Sequence, residues 1–125
     1  MSEKPSLKKK VLIIDDSEFV RNKLKNILEG MNFEVVGVAE DGLTGINQYR
    51  ELKPDIVTID MVMPSYLKGL DCLRLLKKLD PVLNAIMVTS VSDQKTVLQC
   101  IKEGAKNYIL KPFDEKKIRE VMEGL

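Results

Sequence analysis

Five residues of this 125-residue chain have types and positions that can do chemistry together. Three of them end a short apolar run, and they are Asp15, Asp60 and Thr89. The other two, Asp16 and Lys111, directly follow such a run. Carboxylates without nitrogen or sulfur ligands are typical of a site for a hard cation, Mg²⁺ or Mn²⁺. The chain contains no histidine, which excludes a histidine of its own as general base or as phosphate carrier.

Three carboxylates at one place repel one another, and this repulsion indicates the chemistry. At about 4 Å and an effective dielectric constant of about 20, each pair costs up to about 4 kcal/mol. A divalent cation would neutralise this charge and hold an incoming phosphoryl group, leaving one carboxylate as the nucleophile. A hydroxyl and an ammonium would then bind the phosphoryl oxygens. We therefore expect Asn or Ala at position 16 or 60 to raise thermal stability without metal.

Each of these residues also has an ordinary explanation when it is taken alone. Asp15 or Asp16 can cap the following helix, and Asp60 can form a turn. Thr89 is a good strand former, and Lys111 suits a solvated surface. Chance does not readily place all of them at four strand ends on one edge, so their joint placement favours a functional site.

The apolar runs have the length and composition of buried strands. They are rich in β-branched residues and mostly apolar throughout, which favours a parallel sheet covered on both faces. The predicted strands are Val11–Asp15, Phe33–Ala39, Asp55–Asp60, Ala85–Thr89 and Asn107–Leu110.

Segments of helical periodicity alternate with the strands, and the fourth of them has Val97, Leu98 and Ile101 on its predicted apolar stripe. The predicted helix caps and stops are Ser17, Asp41, Asp93, Gly30 and Gly104. Strand and helix alternation predicts an α/β fold, (βα)5, with a doubly wound five-stranded parallel sheet. Ligands of such sheets bind beyond the carboxyl ends of the strands.

Composition narrows the class of protein. With 20 basic and 19 acidic residues the net charge is +1, which gives no indication of nucleic acid or membrane binding. No apolar run approaches the roughly 20 residues of a membrane span, and no signal peptide is apparent. Cys72 and Cys100 are expected to be reduced thiols. We expect a flexible lead-in over residues 1–7, one domain over residues 8–125, and a cytoplasmic location.

Four motifs, in order, resemble the receiver domain of bacterial two-component response regulators. They are VLIIDDSEFVR, PDIVTIDMVMP, MVTS and GAKNYILKPF, and the resemblance extends from about Lys10 to Leu125. It implies a flavodoxin-like fold with strand order 2-1-3-4-5. Within the family, the chain looks most like the single-domain chemotaxis type.

The resemblance implies a role for each acidic residue. Asp60 would be the phosphorylated residue, and the protein would be a stoichiometric phosphoacceptor rather than an enzyme. Asp16 would bind the metal directly, Asp15 would act mainly through water, and the backbone carbonyl of Val62 would be a further ligand.

The same resemblance assigns the switch. Thr89 and Lys111 would bind the phosphoryl group, and Tyr108 would move inward as the switch aromatic. The Lys111–Pro112 peptide bond is expected to be cis. The surface of the fourth helix, fifth strand and fifth helix would carry the output.

Two features depart from the family pattern. The loop Ser65–Lys68 has one residue more than is common, so Tyr66 and Leu67 are candidates for a contact surface. Val62 and Val91 are apolar where family members often place a polar side chain that orients water. We therefore expect slow self-dephosphorylation and reliance on a separate phosphatase.

The resemblance also implies partners. A CheA-like sensor histidine kinase would supply the phosphoryl group and a flagellar motor switch protein would receive the signal. The chain as given stops just after the fifth helix, so it is expected to act by binding another protein. A phosphorelay intermediate, or a receiver excised from a longer regulator, remains an alternative.

Three other classes share some of these features. A flavodoxin-like electron carrier would need a loop rich in Ser, Thr and Gly where this chain has DDSEFV. A hydrolase with an aspartate nucleophile would need a cap domain or substrate pocket, which the sequence does not supply. A non-enzymatic pseudo-receiver is disfavoured by the intact set of site residues.

Overall fold

The computed structural model describes residues 8–125; the predicted lead-in over residues 1–7 lies outside the described residues. Its elements alternate strictly, in agreement with the sequence pattern. In chain order they are β1 (Lys10–Ile14), α1 (Glu18–Gly30), β2 (Glu34–Ala39), α2 (Gly42–Leu52), β3 (Ile56–Ile59), α3 (Gly69–Leu79), β4 (Asn84–Thr89), α4 (Gln94–Lys102), β5 (Asn107–Leu110) and α5 (Glu115–Met122).

The five strands form one parallel sheet in the order β2-β1-β3-β4-β5, as expected. Alternate residues of each central strand point to opposite faces, and both faces are buried. On β1, Leu12 and Ile14 belong to one core cluster, whereas Val11 and Ile13 belong to the other. Continuous apolar strands are therefore a direct consequence of a sheet covered on both sides.

Helices cover the two faces unequally. Buried residues of α1 and α5 pack on one face, and those of α2 and α3 pack on the other with a single buried residue of α4, Cys100. The predicted apolar stripe of α4 is wrong in part, because Leu98 and Ile101 are 60% and 44% exposed. The helix turns Cys100 toward the sheet instead, which rotates both of those side chains to the surface.

The predicted N-caps Ser17, Asp41 and Asp93 are confirmed, since each side chain accepts a bond from a backbone N–H of the first turn. Gly104 follows α4 with φ of 107°, a conformation that favours glycine. Gly30 is the last residue of α1 rather than the residue after it. None of the helices within residues 8–125 is long and apolar enough to span a membrane.

Gly69, the first residue of α3, lies directly against the end of β3. A β-carbon there would stand 2.2 Å from the Asp60 carbonyl oxygen and 2.5 Å from Met61 Cα. Both are backbone atoms, so neither can rotate away as a side chain can. The close approach of α3 to the strand end therefore requires glycine.

We predict that Gly69→Ala lowers the free energy of unfolding by about 3 kcal/mol, because the methyl group overlaps backbone. Urea denaturation followed by circular dichroism would measure the change. Gly30→Ala is the matched control, since nothing lies within 4 Å of its added β-carbon and it is helical. It should raise stability by about 0.5 kcal/mol. Equal stability of Gly69→Ala and the parent would contradict the close approach.

Candidate functional site

The end of β1 supplies two carboxylates in different environments. Asp15 is buried, its backbone N–H continues the sheet to the Ala39 carbonyl at 2.9 Å, and its Oδ1 accepts a bond from the Ser17 N–H at 2.9 Å. Asp16 is exposed at the rim. The sheet therefore fixes the position of Asp15, whereas Asp16 lies at the rim, where a ligand can enter from solvent.

Asp60 lies at the end of the neighbouring strand β3. Its side chain is buried, its backbone N–H bonds to the Ile14 carbonyl at 3.0 Å, and its Oδ1 accepts a bond from the Val62 N–H at 3.2 Å. The parallel pairing of β1 with β3 thus brings Asp60 beside the acidic pair. One ligand oxygen each of Asp15, Asp16 and Asp60 lie within 4.8 Å of one another.

Lys111 reaches this cluster from the end of β5. Its Nζ lies 2.8 Å from Asp15 Oδ2 and 3.1 Å from Asp60 Oδ2. Its backbone N–H bonds to the Thr89 carbonyl at 2.9 Å. The Lys111–Pro112 peptide bond is cis, as predicted. One ammonium therefore bridges two buried carboxylates, and the exposed Asp16 has no such partner among the described residues.

The pKa values in the cluster reflect burial opposed by pairing. Burial raises the pKa of the Asp15 carboxyl above its ordinary value, and the adjacent Lys111 ammonium and the bond from the Ser17 N–H only partly offset this. Burial by itself would lower the pKa of Lys111, but the hydrogen bonds and charges of Asp15 and Asp60 outweigh it and raise the pKa. The lysine is therefore a permanent cation at neutral pH.

The oxygen atoms of this cluster fit a hard divalent cation. All three candidate ligands are carboxylates, and Asp15 Oδ2 has no hydrogen bond of good geometry, although Lys111 Nζ lies close to it. Val62 is 58% exposed on the same rim, two residues after Asp60. An additional positive charge would be favourable here, because the three carboxylates and one lysine carry a net negative charge.

Thr89 and Tyr108 are connected to each other through one residue. The fully buried Thr89 hydroxyl accepts a long bond, 3.4 Å, from the Val91 N–H. The Tyr108 hydroxyl donates to the Val91 carbonyl at 2.6 Å. Burial raises the pKa of Tyr108 to about 12, so its hydroxyl remains a donor at neutral pH. Tyr108 is half-buried, packs against the core cluster on its side of the sheet, and through this bond reaches the segment that follows Thr89.

The long loop beside Asp60 is held by its own side chains. The Ser65 hydroxyl bonds to both the N–H and the carbonyl of Leu67, at 3.2 Å each, and Lys68 Nζ bonds to the Met63 carbonyl at 3.2 Å. Leu67 packs against the start of α2, and Tyr66 is fully exposed. The loop therefore has its own internal bonding and presents an aromatic ring to solvent.

Sequence reasoning overlooked one residue at the site, Arg21 on α1. Its Nη1 donates to the Asp15 carbonyl at 2.9 Å. Arg21 is the last residue of the motif VLIIDDSEFVR, but no role was assigned to it. Its place in that motif, one helical turn beyond the cap Ser17, was the available signal.

Known proteins resemble the chain over nearly its whole length. The family model for the response regulator receiver domain matches residues 11–123. The chemotaxis protein CheY of Listeria monocytogenes is 43% identical over 114 residues, which cover 91% of this chain and 95% of that protein. CheY of Thermotoga maritima is 40% identical over 114 residues, covering 91% and 94%.

Solved structures agree with the sequence relatives. The CheX–CheY–BeF3–Mg²⁺ complex from Borrelia burgdorferi contains a chain that superposes with a TM-score of 0.87 at 32% identity, covering 90% of this chain and 85% of that one. The response regulator domain of Thermotoga maritima CheB superposes with a TM-score of 0.80 at 31% identity, covering 91% and 93%. The chain belongs to the response regulator receiver domain family.

Proposed function

We propose that this protein is a phosphorylation-activated response regulator of the single-domain chemotaxis type. It takes a phosphoryl group from a histidine kinase onto Asp60 and changes the surface through which it binds another protein. The observation that carries the proposal is the buried Asp60 carboxylate, with Lys111 Nζ at 3.1 Å and two further carboxylates within 4.8 Å. Each molecule carries one phosphoryl group, so the protein is a stoichiometric acceptor that assists its own chemistry.

The acidic cluster would hold Mg²⁺, or Mn²⁺, in the roles that the family resemblance implies. Asp16 and Asp60 would bind it directly with the Val62 carbonyl, and Asp15 would act mainly through water. When bound, the ion supplies charge neutralisation for the carboxylates and for the phosphoryl oxygens. Lys111 Nζ and the Val62 N–H hold the Asp60 carboxylate in place before the transfer.

The transfer step then follows from the positions of the side chains. A carboxylate oxygen of Asp60 attacks phosphorus of the phosphohistidine, the O–P bond forms and the P–N bond breaks. The leaving imidazole nitrogen keeps the electron pair and can be protonated. The Lys111 ammonium, already at the acceptor, would bind a phosphoryl oxygen. The Thr89 hydroxyl, which donates to no partner among residues 8–125, would bind another.

The signal would leave the site through the segment that follows β4. A shift of Thr89 toward the phosphoryl group pulls on the Val91 N–H, and the Val91 carbonyl holds the Tyr108 hydroxyl. Tyr108 lies on β5, beside α4. A change at Asp60 therefore reaches the outer surface through Val91, whose backbone N–H bonds to Thr89 and whose carbonyl bonds to Tyr108.

The surface of α4, β5 and α5 is suited to a protein partner. Leu98, Ile101 and Leu110 are each more than 40% exposed there, and a groove of about 300 Å³ runs beside Tyr108 and Leu110. The relatives named as chemotaxis proteins support a role in chemotaxis. The family resemblance implies a flagellar motor switch protein as the partner, a cytoplasmic location and a separate phosphatase that ends the signal. The CheY of Borrelia burgdorferi is bound to CheX in its structure, which supports protein binding by this chain as well.

We predict that acetyl phosphate with Mg²⁺ adds a single phosphoryl group to the parent and none to Asp60→Asn. Intact-mass spectrometry would detect the adduct. Chelator present from the start should prevent it, because the carboxylate cluster needs the cation to admit an anion. An adduct on Asp60→Asn would move the acceptor elsewhere. No adduct on the parent, together with no Mg²⁺ binding, would leave only an interaction module.

We predict that Asp16→Asn raises the melting temperature in chelator by about 2–5 °C. The substitution removes the one carboxylate of the cluster that Lys111 does not pair, and therefore relieves repulsion without breaking an ion pair. The melting temperature of Asp60→Asn should rise less, because this variant also loses the ion pair between Asp60 and Lys111, at 3.1 Å. Differential scanning calorimetry measures both, with the exposed Glu120→Gln as control. Lower melting of both variants would disprove the carboxylate repulsion.

We predict that the phospho-form decays slowly, over minutes or longer, because Val62 and Val91 cannot orient an attacking water. Val62, 58% exposed beside the acceptor, is the accessible position for a polar side chain. Val62→Asn should speed the loss of the phosphoryl group by about tenfold, a modest gain for an oriented water. Timed mass spectrometry after removal of the phosphodonor gives the rate. Decay of the parent within seconds would contradict the prediction.

A further inference from the structure

Arg21 holds the peptide bond that joins the two aspartates of the acidic pair. Its Nη1 donates to the Asp15 carbonyl at 2.9 Å, and its own backbone N–H bonds to the Ser17 carbonyl at 2.9 Å as part of α1. The guanidinium therefore ties the first helix back to the end of β1. Because the peptide unit is planar, fixing its carbonyl also fixes the direction in which Asp16 leaves the strand.

The two carboxylates of the pair depend on this bond to different degrees. Asp15 is buried and its side chain is held by the Ser17 N–H and by Lys111. The Asp16 side chain is exposed, and none of the groups in the described part of the chain bonds to its carboxylate. Whatever orients Asp16 before a cation arrives must therefore act through its backbone.

We infer that Arg21 is the positioning residue for Asp16, the ligand through which the acidic cluster takes its cation from solvent. The inference rests on the proposed function, because it assumes that the cluster binds Mg²⁺. The bond that gives Arg21 this role is made to the Asp15 backbone carbonyl and not to a carboxylate of the cluster. It acts by holding the peptide plane so that the Asp16 carboxylate stands near Asp15 and Asp60, within the 4.8 Å that separates their oxygens.

The positive charge of Arg21 should weaken Mg²⁺ binding, whereas its positioning role should strengthen it. The direction in which the Mg²⁺ affinity changes when Arg21 is replaced therefore tests the inference. A guanidinium near the cluster repels a divalent cation, so removing it should tighten binding if charge is all that matters. If positioning dominates, removing it should weaken binding despite the lost repulsion. Partners that orient a metal ligand typically contribute a factor of about 10 to 100 in affinity.

The experiment compares the Mg²⁺ dissociation constants of the full chain and three variants by NMR titration of backbone amides. Arg21→Met removes both the donor and the charge, and Arg21→Lys keeps the charge and a donor of different geometry. Lys25→Met is the matched control, because it removes one positive charge from an exposed position on the same helix. Melting temperatures in chelator report whether each variant is folded.

We expect Arg21→Met to bind Mg²⁺ about tenfold more weakly than the parent, the low end of that range, with Arg21→Lys in between and Lys25→Met unchanged. The melting temperature in chelator should change far less than the affinity. Equal or tighter binding by Arg21→Met, while the parent binds Mg²⁺ normally, would overturn the inference and leave the proposed function intact. A parent that binds no Mg²⁺ would overturn both.

Discussion

The arrangement of this protein depends on one partly buried ammonium that bridges two buried carboxylates. Lys111 Nζ lies 2.8 Å from Asp15 and 3.1 Å from Asp60, and these three residues come from the ends of three different strands. Two unpaired carboxylates could not remain charged side by side in such an interior. The two carboxylates and the lysine therefore require β1, β3 and β5 to end at the same level, and the parallel sheet meets that requirement.

Much of this could be predicted from the sequence because burial leaves a strong pattern. The central strands are apolar on both faces, so each appears in the sequence as a continuous apolar run. The polar residues that end these runs are then easy to recognise. The side-chain caps Ser17, Asp41 and Asp93 were likewise predictable, since a short polar residue before an apolar stripe has a local cause.

Other features could not be predicted, because they depend on how elements turn relative to one another. The stripe of α4 was ambiguous: a short helix offers two possible inner faces, and the tertiary contact of Cys100 with Met61, 3.5 Å between their sulfur atoms, selects one. Arg21 and the Val91 carbonyl are similar cases. Each bond pairs a side chain with a backbone carbonyl, Arg21 with that of Asp15 and Tyr108 with that of Val91. A backbone carbonyl leaves no trace in residue type, and only the folded chain brings it within bonding distance of the side chain.

The two bonds of Val91 have a consequence for how such a protein can diversify. Its amide and its carbonyl link Thr89 to Tyr108, whereas its side chain takes no part in either bond. In the proposed function, that apolar side chain is one reason why the phospho-form would decay slowly. Any non-proline residue at this position supplies the same two backbone groups. In the proposed switch, a substitution there would alter how long the signal persists without breaking the connection that transmits it. Duration and transmission would then reside in different atoms of one residue, and evolution could tune the first while the second stays constant.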